Sequence, residues 1–199
     1  MGNVSANRLG NHKINLIDSS LLSPYIESTD MSTATLSTAT ISTATINLRP
    51  ELGDFSSILC FRALVTGLQE ALGEKAGLIA AIAAGRARGR GLAQSLDLAG
   101  TEPDLAKATL SLQEALGVNG SRLCLIDKIE AVDNGYRVYC RETICSSGEA
   151  QGSSRTMSFT LGAIQGALES MMNKRLRGKQ IESVLRGGTH DVVEFEVLG

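Results

Sequence analysis

The sequence contains no tryptophan, only 3 prolines and only 2 histidines among 199 residues, and aromatic residues make up 4% of it. With so few rings, stacking platforms for nucleobases are not expected. No charge dominates: 19 Lys and Arg face 21 Asp and Glu, a formal net charge of −2. A general nucleic-acid binder carries a basic surplus that displaces counterions from phosphates, so nucleic acid is not an expected partner. Two histidines leave little room for histidine-based catalysis or a histidine-rich metal site. The 4 cysteines, Cys60, Cys124, Cys140 and Cys145, form no Cys-x-x-Cys pair. Zinc sites usually draw their ligands from two such pairs. No metal is therefore expected, and the cysteines read as reduced thiols of a cytosolic protein.

Long hydrophobic runs are missing too. The N-terminal stretch MGNVSANRLGNHKINLIDSS has no apolar segment of the kind a signal peptide needs. The longest strongly apolar run, Ala76 to Gly85, falls well short of the ~20 residues that span a bilayer. Met31 to Leu48 is uncharged, but 9 of its residues are Ser or Thr. The expectation is a soluble, cytoplasmic protein, with peripheral contact to a membrane left open.

What is present is a core-forming composition, 43% hydrophobic and 20% charged, which supports folding rather than disorder. It is unevenly spread. Residues 31 to 46 repeat Ser-Thr-Ala-Thr three times, separated by Leu36 and Ile41. Three copies are too few to stack into a repeat fold. Residues 1–49 therefore read as a low-complexity, disordered tail, and a folded domain is expected over 50–199.

Within that domain Glu51 to Leu72 shows a helical apolar period through Phe55, Ile58, Leu59, Val65, Leu68 and Leu72, widened by Phe61 and Leu64. Gly73 stops it. A second helix is expected from Glu74 to Leu98, with Gly85, Gly89 and Gly91 interleaved with Arg86, Arg88 and Arg90. The small residues suit a close helix contact, with the arginines pointing outward. Pro103 opens a third helix, Asp104 to Leu116. The period then shortens. Arg122 to Val132 and Tyr136 to Ile144 read as strands joined at Asn134-Gly135, a strong hairpin signal. A fourth helix is expected over Thr156 to Arg175, with Gly162 and Gly166 one turn apart. A final hairpin is expected from Lys179 to Leu185 and Asp191 to Leu198. The order ααα-ββ-α-ββ predicts an α/β (α+β) fold, a four-stranded antiparallel sheet covered by about four helices on one face.

No catalytic constellation is visible. His12 lies in the tail and His190 at the last turn, read as a solvated cap; Glu142 and Glu149 form no evident carboxylate pair. The Gly85–Gly91 stretch lacks the strand setting and Lys-Ser/Thr ending of a phosphate-binding loop. Lys174, Arg175, Arg177 and Lys179 form a basic cluster read at a helix end; an anionic lipid or an acidic partner is the sharper expectation there. Helices, sheet and glycine-lined contacts together suit an apolar channel for an acyl chain or similar molecule. Its expected lining is Phe55, Leu59, Leu64, Leu68, Leu123, Leu125, Leu161, Ile164 and Leu168.

Arg62 to Leu68, Gly85 with Gly89, Thr160 to Glu169 (Gly-x-x-x-Gly-x-Leu-Glu from Gly162), Glu182 to Gly188 and Val193 to Val197 together resemble the TRAPP-subunit superfamily and the related bacterial V4R domain. The resemblance implies an α/β fold and homodimers. It also implies a hydrophobic tunnel and a role in assembly, in photosynthetic bacteria for photosystem or pigment–protein complexes. On that basis the ligand would be a lipid or tetrapyrrole. Many V4R domains carry paired cysteines where this chain has Leu185 and Val193, and some TRAPP subunits are acylated at a cysteine where it has Leu98-Ala99-Gly100-Thr101. A bound molecule would therefore be held non-covalently. Gly85, Gly89, Gly162 and Gly166 are expected at close packing contacts or, with the first-helix stripe, in the dimer interface. The expected function is a non-enzymatic, ligand-binding dimeric scaffold. The alternatives are an enzyme of (bacterio)chlorophyll vinyl reduction, for which no nucleotide fingerprint is visible, and a ligand-free interaction module.

Overall fold

The computed structural model describes residue 51 and residues 55–199. The tail expectation for 1–49, with its Ser-Thr-Ala-Thr repeats, lies outside the described residues. The first helix, α1, spans Ile58–Leu72 and begins where Ser57 Oγ accepts the Leu59 N–H at 3.2 Å, an N-cap that satisfies one orphan donor. Gly73, at φ +81°, ends α1 and starts α2, Glu74–Ser95. Helix α3, Leu105–Leu116, is capped by Asp104 Oδ1, which accepts from Lys107 N at 2.7 Å. Strands β1, Leu125–Val132, and β2, Gly135–Arg141, form a hairpin. Helix α4 spans Phe159–Met172 and stops at Asn173, a left-handed residue at φ +49°. Then come β3, Arg175–Glu182, a short 3-10 turn over Val184–Arg186, and β4, Asp191–Leu198.

The strands form one antiparallel sheet in the order β1-β2-β4-β3. This is the expected α+β arrangement, with two local corrections. The hairpin turn is Asp133-Asn134, because Val132 pairs with Gly135. Strand β3 starts four residues earlier than the alternation implied, since Gly178 interrupts its apolar pattern and lets the Phe195 ring press against the backbone.

Helix α4 is the centre of the molecule, with 12 residues buried. One side lies on the sheet, where Ile164, Leu168 and Met171 meet Val138, Val193 and Phe195, all fully buried. Each such large apolar side chain contributes roughly 1.5–3 kcal/mol. The other side carries α2. Four glycines make that contact possible. A Cβ on Gly85 would lie 2.1 Å from Phe159 O and one on Gly89 2.0 Å from Ala163 O. In return, a Cβ on Gly162 would lie 2.1 Å from Ile82 O and one on Gly166 2.1 Å from Arg86 O. The two helices touch backbone to backbone. Of the two roles expected of them, close packing or a dimer interface, the glycines here serve close packing inside the molecule.

Arg86 does correct an expectation. It does not point outward; its Nε and Nη2 donate to Glu169 at 2.5 and 2.7 Å. Glu169 also accepts the Leu176 N–H at 2.8 Å, while Gln165 Nε2 donates to Leu176 O at 2.7 Å. Leu176 thus turns both its backbone groups to α4 side chains. The outer edge of β3 is blunted at that point, as sheet edges generally must be.

The far face of the sheet is open and charged. Glu130, Arg137, Glu194 and Lys179 stand side by side across all four strands, and Arg137 Nη2 lies 2.6 Å from Glu194 Oε2. Arg175, Arg177 and Lys179 lie exposed along β3, not at a helix end as the sequence reading had it. Arg177 is paired with Glu196 at 2.5 Å.

Candidate ligand cleft

Helix α1 contributes no fully buried residue. Its inward side, Phe61, Arg62, Val65, Thr66, Leu68 and Gln69, is half-buried. That side faces the loop 142–158 that joins β2 to α4. The space between them is a narrow cleft of about 20 Å³, lined by Phe61, Arg62, Val65, Thr66, Ile144, Cys145, Ser147, Glu149, Arg155 and Ser158. A wider groove of about 340 Å³ adjoins it, sharing Thr66, Glu149 and Arg155 and adding Glu70 and Glu74.

The loop wall is held in place by a buried carboxylate. Asp191, the first residue of β4, is fully buried. It accepts from Thr143 Oγ1 at 2.6 Å, Ser146 Oγ at 2.7 Å, Gln180 Nε2 at 3.0 Å and Val184 N at 3.2 Å. A buried carboxylate is tolerable only when hydrogen-bonded in this way. Gln180 Oε1 in turn accepts the Met157 N–H at 2.8 Å. Arg186 Nη1 donates to the carbonyls of Ser153 and Arg155, both at 3.1 Å. Both ends of the loop are therefore tied to the sheet.

Inside the cleft the two arginines differ. Arg155 Nη1 donates to Gln69 Oε1 at 2.7 Å, and its Nε lies 2.7 Å from Glu149 Oε1. That Nε–H is buried and misaligned, so it forms an ion pair without a hydrogen bond. Arg62 Nη2 donates to Gly148 O at 3.2 Å, and Arg62 has no carboxylate partner among the described residues. Gly148, at φ +71°, is the residue on which the Arg62 guanidinium lies. The apolar lining is Phe61, edge-on to Phe159 at 5.1 Å, with Val65 and Ile144. Cys145 Sγ accepts the Ser158 N–H at 3.4 Å.

The nine residues expected to line a channel do not converge. Phe55 is exposed beneath the Arg122 guanidinium, 5.6 Å away, and Leu59 and Leu64 lie on the outer side of α1. Leu68 is half-buried on the inner side of α1 and Leu125 half-buried at the start of β1. Leu123, Leu161, Ile164 and Leu168 are core residues. The space between α4 and the sheet is filled, since Ile164, Leu168, Val193 and Phe195 expose no surface even to an internal void. Arg62, Glu149, Arg155 and Asp191 were not singled out as site residues. The one sequence signal for them was the length and Ser/Gly composition of the loop, since long loops in compact domains are usually functional.

Outside the cleft, His190 is more than a solvated cap. Its Nε2 lies 3.1 Å from Asp127 Oδ2, and Arg141 Nε and Nη2 donate to the same carboxylate at 2.5 and 2.8 Å. The Arg141 hydrogen bonds hold the Asp127 carboxyl below its ordinary pKa against a smaller opposing effect of burial, and His190 adds to the lowering. The Cys140 thiol is pushed up by contact with Cys124 and by burial, so it stays protonated. Among the described residues no cysteine is bridged and no helix is long and apolar enough to cross a membrane.

No family model matches the sequence, and no curated protein matches it. Among solved structures, the chain is similar to the phenol-responsive sensory domain of the transcription activator PoxR, crystallised with phenol. The identity is 14%, over 72% of this chain and 76% of that one, with a TM-score of 0.52. It also aligns with a trafficking protein particle complex subunit 3 from Naegleria fowleri covalently bound to palmitic acid. There the identity is 12%, over 73% of this chain and 85% of that one, with a TM-score of 0.41. The first likeness shows a shared fold, helices packed on a four-stranded antiparallel sheet. That is the fold which the resemblance to V4R and TRAPP proteins implies.

Proposed function

We propose that this chain is a non-catalytic domain that binds a small, mainly apolar molecule non-covalently in the cleft between α1 and the loop 142–158, and that it works as a homodimer. The carrying observation is the cleft itself, in which Phe61, Val65 and Ile144 meet a few convergent polar groups. Its own room is about 20 Å³, and the groove into which it opens has about 340 Å³, at the small end of the range for ligand sites, roughly 300–1,000 Å³. The PoxR domain, which shares the fold, was crystallised with phenol, and a molecule of that size suits the groove with one end in the cleft. The cleft replaces the channel between helices and sheet as the proposed site. An acyl chain stays within the reading as a longer occupant running into the adjoining groove.

The dimer is supported by the outer side of α1. Cys60, Leu64, Gly67 and Ala71 follow one another at helical spacing with Leu59 and Ala63 beside them, all exposed. A helix that is apolar on both sides is normally covered on both. Lys174, Arg175 and Lys179 make no ion pair among the described residues, and they are the part of the surface that would meet an anionic partner. Neither the cleft nor the shared fold supports a photosynthetic setting or vinyl reduction, and neither belongs to the proposal.

The test is calorimetric titration of the full chain with phenol and with palmitate, alongside Val65→Trp, which fills the cleft. Saturable binding of either probe, lost in Val65→Trp while the protein still melts cooperatively, is the expected result. Binding of neither, or binding untouched by Val65→Trp, overturns the cleft as the site.

A further inference from the structure

We infer that the molecule held in the cleft is a small acid, bound as its monoanion with the carboxylate on the Arg62 guanidinium. This rests on the cleft being the binding site and names the chemistry of its occupant.

The two arginines carry the argument. Arg155 already has Glu149 and Gln69 as partners. Arg62 spends one of its N–H groups on Gly148 O and has no counter-ion among the described residues. A guanidinium presents five donors in a fork that matches a carboxylate. Within the cleft Arg62 and Arg155 are set against Glu149 alone, so one positive charge is left over beside Phe61, Val65 and Ile144. A cation in such a half-apolar setting loses hydration that a ligand's anion would restore.

A second feature favours the same charge. Helix α4 begins at Ser158, on the cleft wall, and no side chain caps its first turn. The N-terminus of a 14-residue helix is an electropositive end that favours anions. Its Ser158 N–H is taken only by the Cys145 thiol, a weak acceptor. The limit of one negative charge comes from the adjoining groove, where Glu70 and Glu74 join Glu149. A second carboxylate reaching that way would meet like charge. The occupant is therefore a compact body of ring or branched-chain size lying in the groove, with a single acidic group reaching into the cleft.

The experiment is calorimetric titration of the full chain near neutral pH with three probes of one shape: benzoate, its neutral amide benzamide, and benzyl alcohol. Benzoate is expected to bind about tenfold more tightly than either neutral probe, the worth of one charge-assisted contact. In Arg62→Gln that preference should vanish, with benzoate falling to the level of the neutral probes in the same variant. Because the comparison between benzoate and benzamide is made on the unaltered protein, it stands even if Arg62→Gln folds poorly. Equal binding of all three probes, or a preference that survives in folded Arg62→Gln, overturns the acid and leaves the cleft as a site for neutral molecules. Binding of none of them overturns the cleft reading and this inference together.

Discussion

The backbone of Gly89 rests directly on Ala163: a Cβ at position 89 would sit 2.0 Å from the Ala163 carbonyl oxygen. The partner is main chain in the middle of α4, which cannot rotate aside as a side chain could. The whole helix would have to move, and α4 is held by the sheet behind it. The α2–α4 contact is therefore sensitive to one carbon atom.

Gly89→Ala and Gly166→Leu should both destabilise the fold. Overpacking costs about 1–3 kcal/mol, more than the up to ~1 kcal/mol that leaving glycine returns in helix propensity. Gly91, also in α2, has nothing within 4 Å of its Cβ position. Gly91→Ala should therefore stabilise by about 0.5–1 kcal/mol. Thermal melts should show opposite signs for Gly89→Ala and Gly91→Ala within one helix, with Gly166→Leu in α4 on the destabilised side. A stabilised Gly89→Ala would mean that the two helices stand further apart.

Glu169→Gln tests the polar end of the same contact. Glu169 is nearly buried and answers both Arg86 and the Leu176 N–H. Breaking a buried pair strands the remaining charge. The expected loss is about 3 kcal/mol, the low end for such pairs because Arg86 keeps some access to water. Urea titration measures it. The variant should also expose the β3 edge at Leu176, read as faster amide exchange there than in the parent protein.

Acid should weaken the open face of the sheet through Asp127. Its folded pKa is depressed, chiefly by Arg141. A depressed carboxyl contributes stability that is fully present above its unfolded pKa, ~4, and is lost as pH falls through the folded value. Asp127→Asn should be less stable than the parent at pH 7. It should also lose less stability between about pH 5 and pH 2. Parallel pH-stability curves for the two proteins would mean that the Arg141 contact contributes nothing.

The elements were readable because the apolar period changes from helical to alternating after Leu116, and because Gly73, Pro103 and Gly117 mark the breaks. The partners were not. Arg86 and Glu169 are 83 positions apart, Thr143 and Asp191 48 apart, and no local pattern ties either pair. The glycines announced a close contact but not with what; only the crossing of α2 on α4 shows that they face each other. The cleft was hidden for a related reason. Sequence patterning finds sides that are wholly apolar, and here that pointed to the filled core. The cleft combines an arginine-bearing side of α1 with a polar loop, neither of which stands out alone.

The outer side of α1 gives the last prediction. Leu64 is 60% exposed and Leu59 66% exposed, and both lie away from Phe61 and Val65, which line the cleft. Leu64→Glu therefore touches no internal contact, and its effect on folding should be within about 0.5 kcal/mol. If a second copy covers this side, the substitution places two like charges in an apolar, symmetric contact, because a two-fold interface repeats every change. Sedimentation velocity should show a dimer for the parent chain and a monomer for Leu64→Glu, with the same thermal midpoint at low protein concentration. Association unchanged by Leu64→Glu would move the interface elsewhere, with the exposed alanines of α2 around Ile79 the next surface to alter.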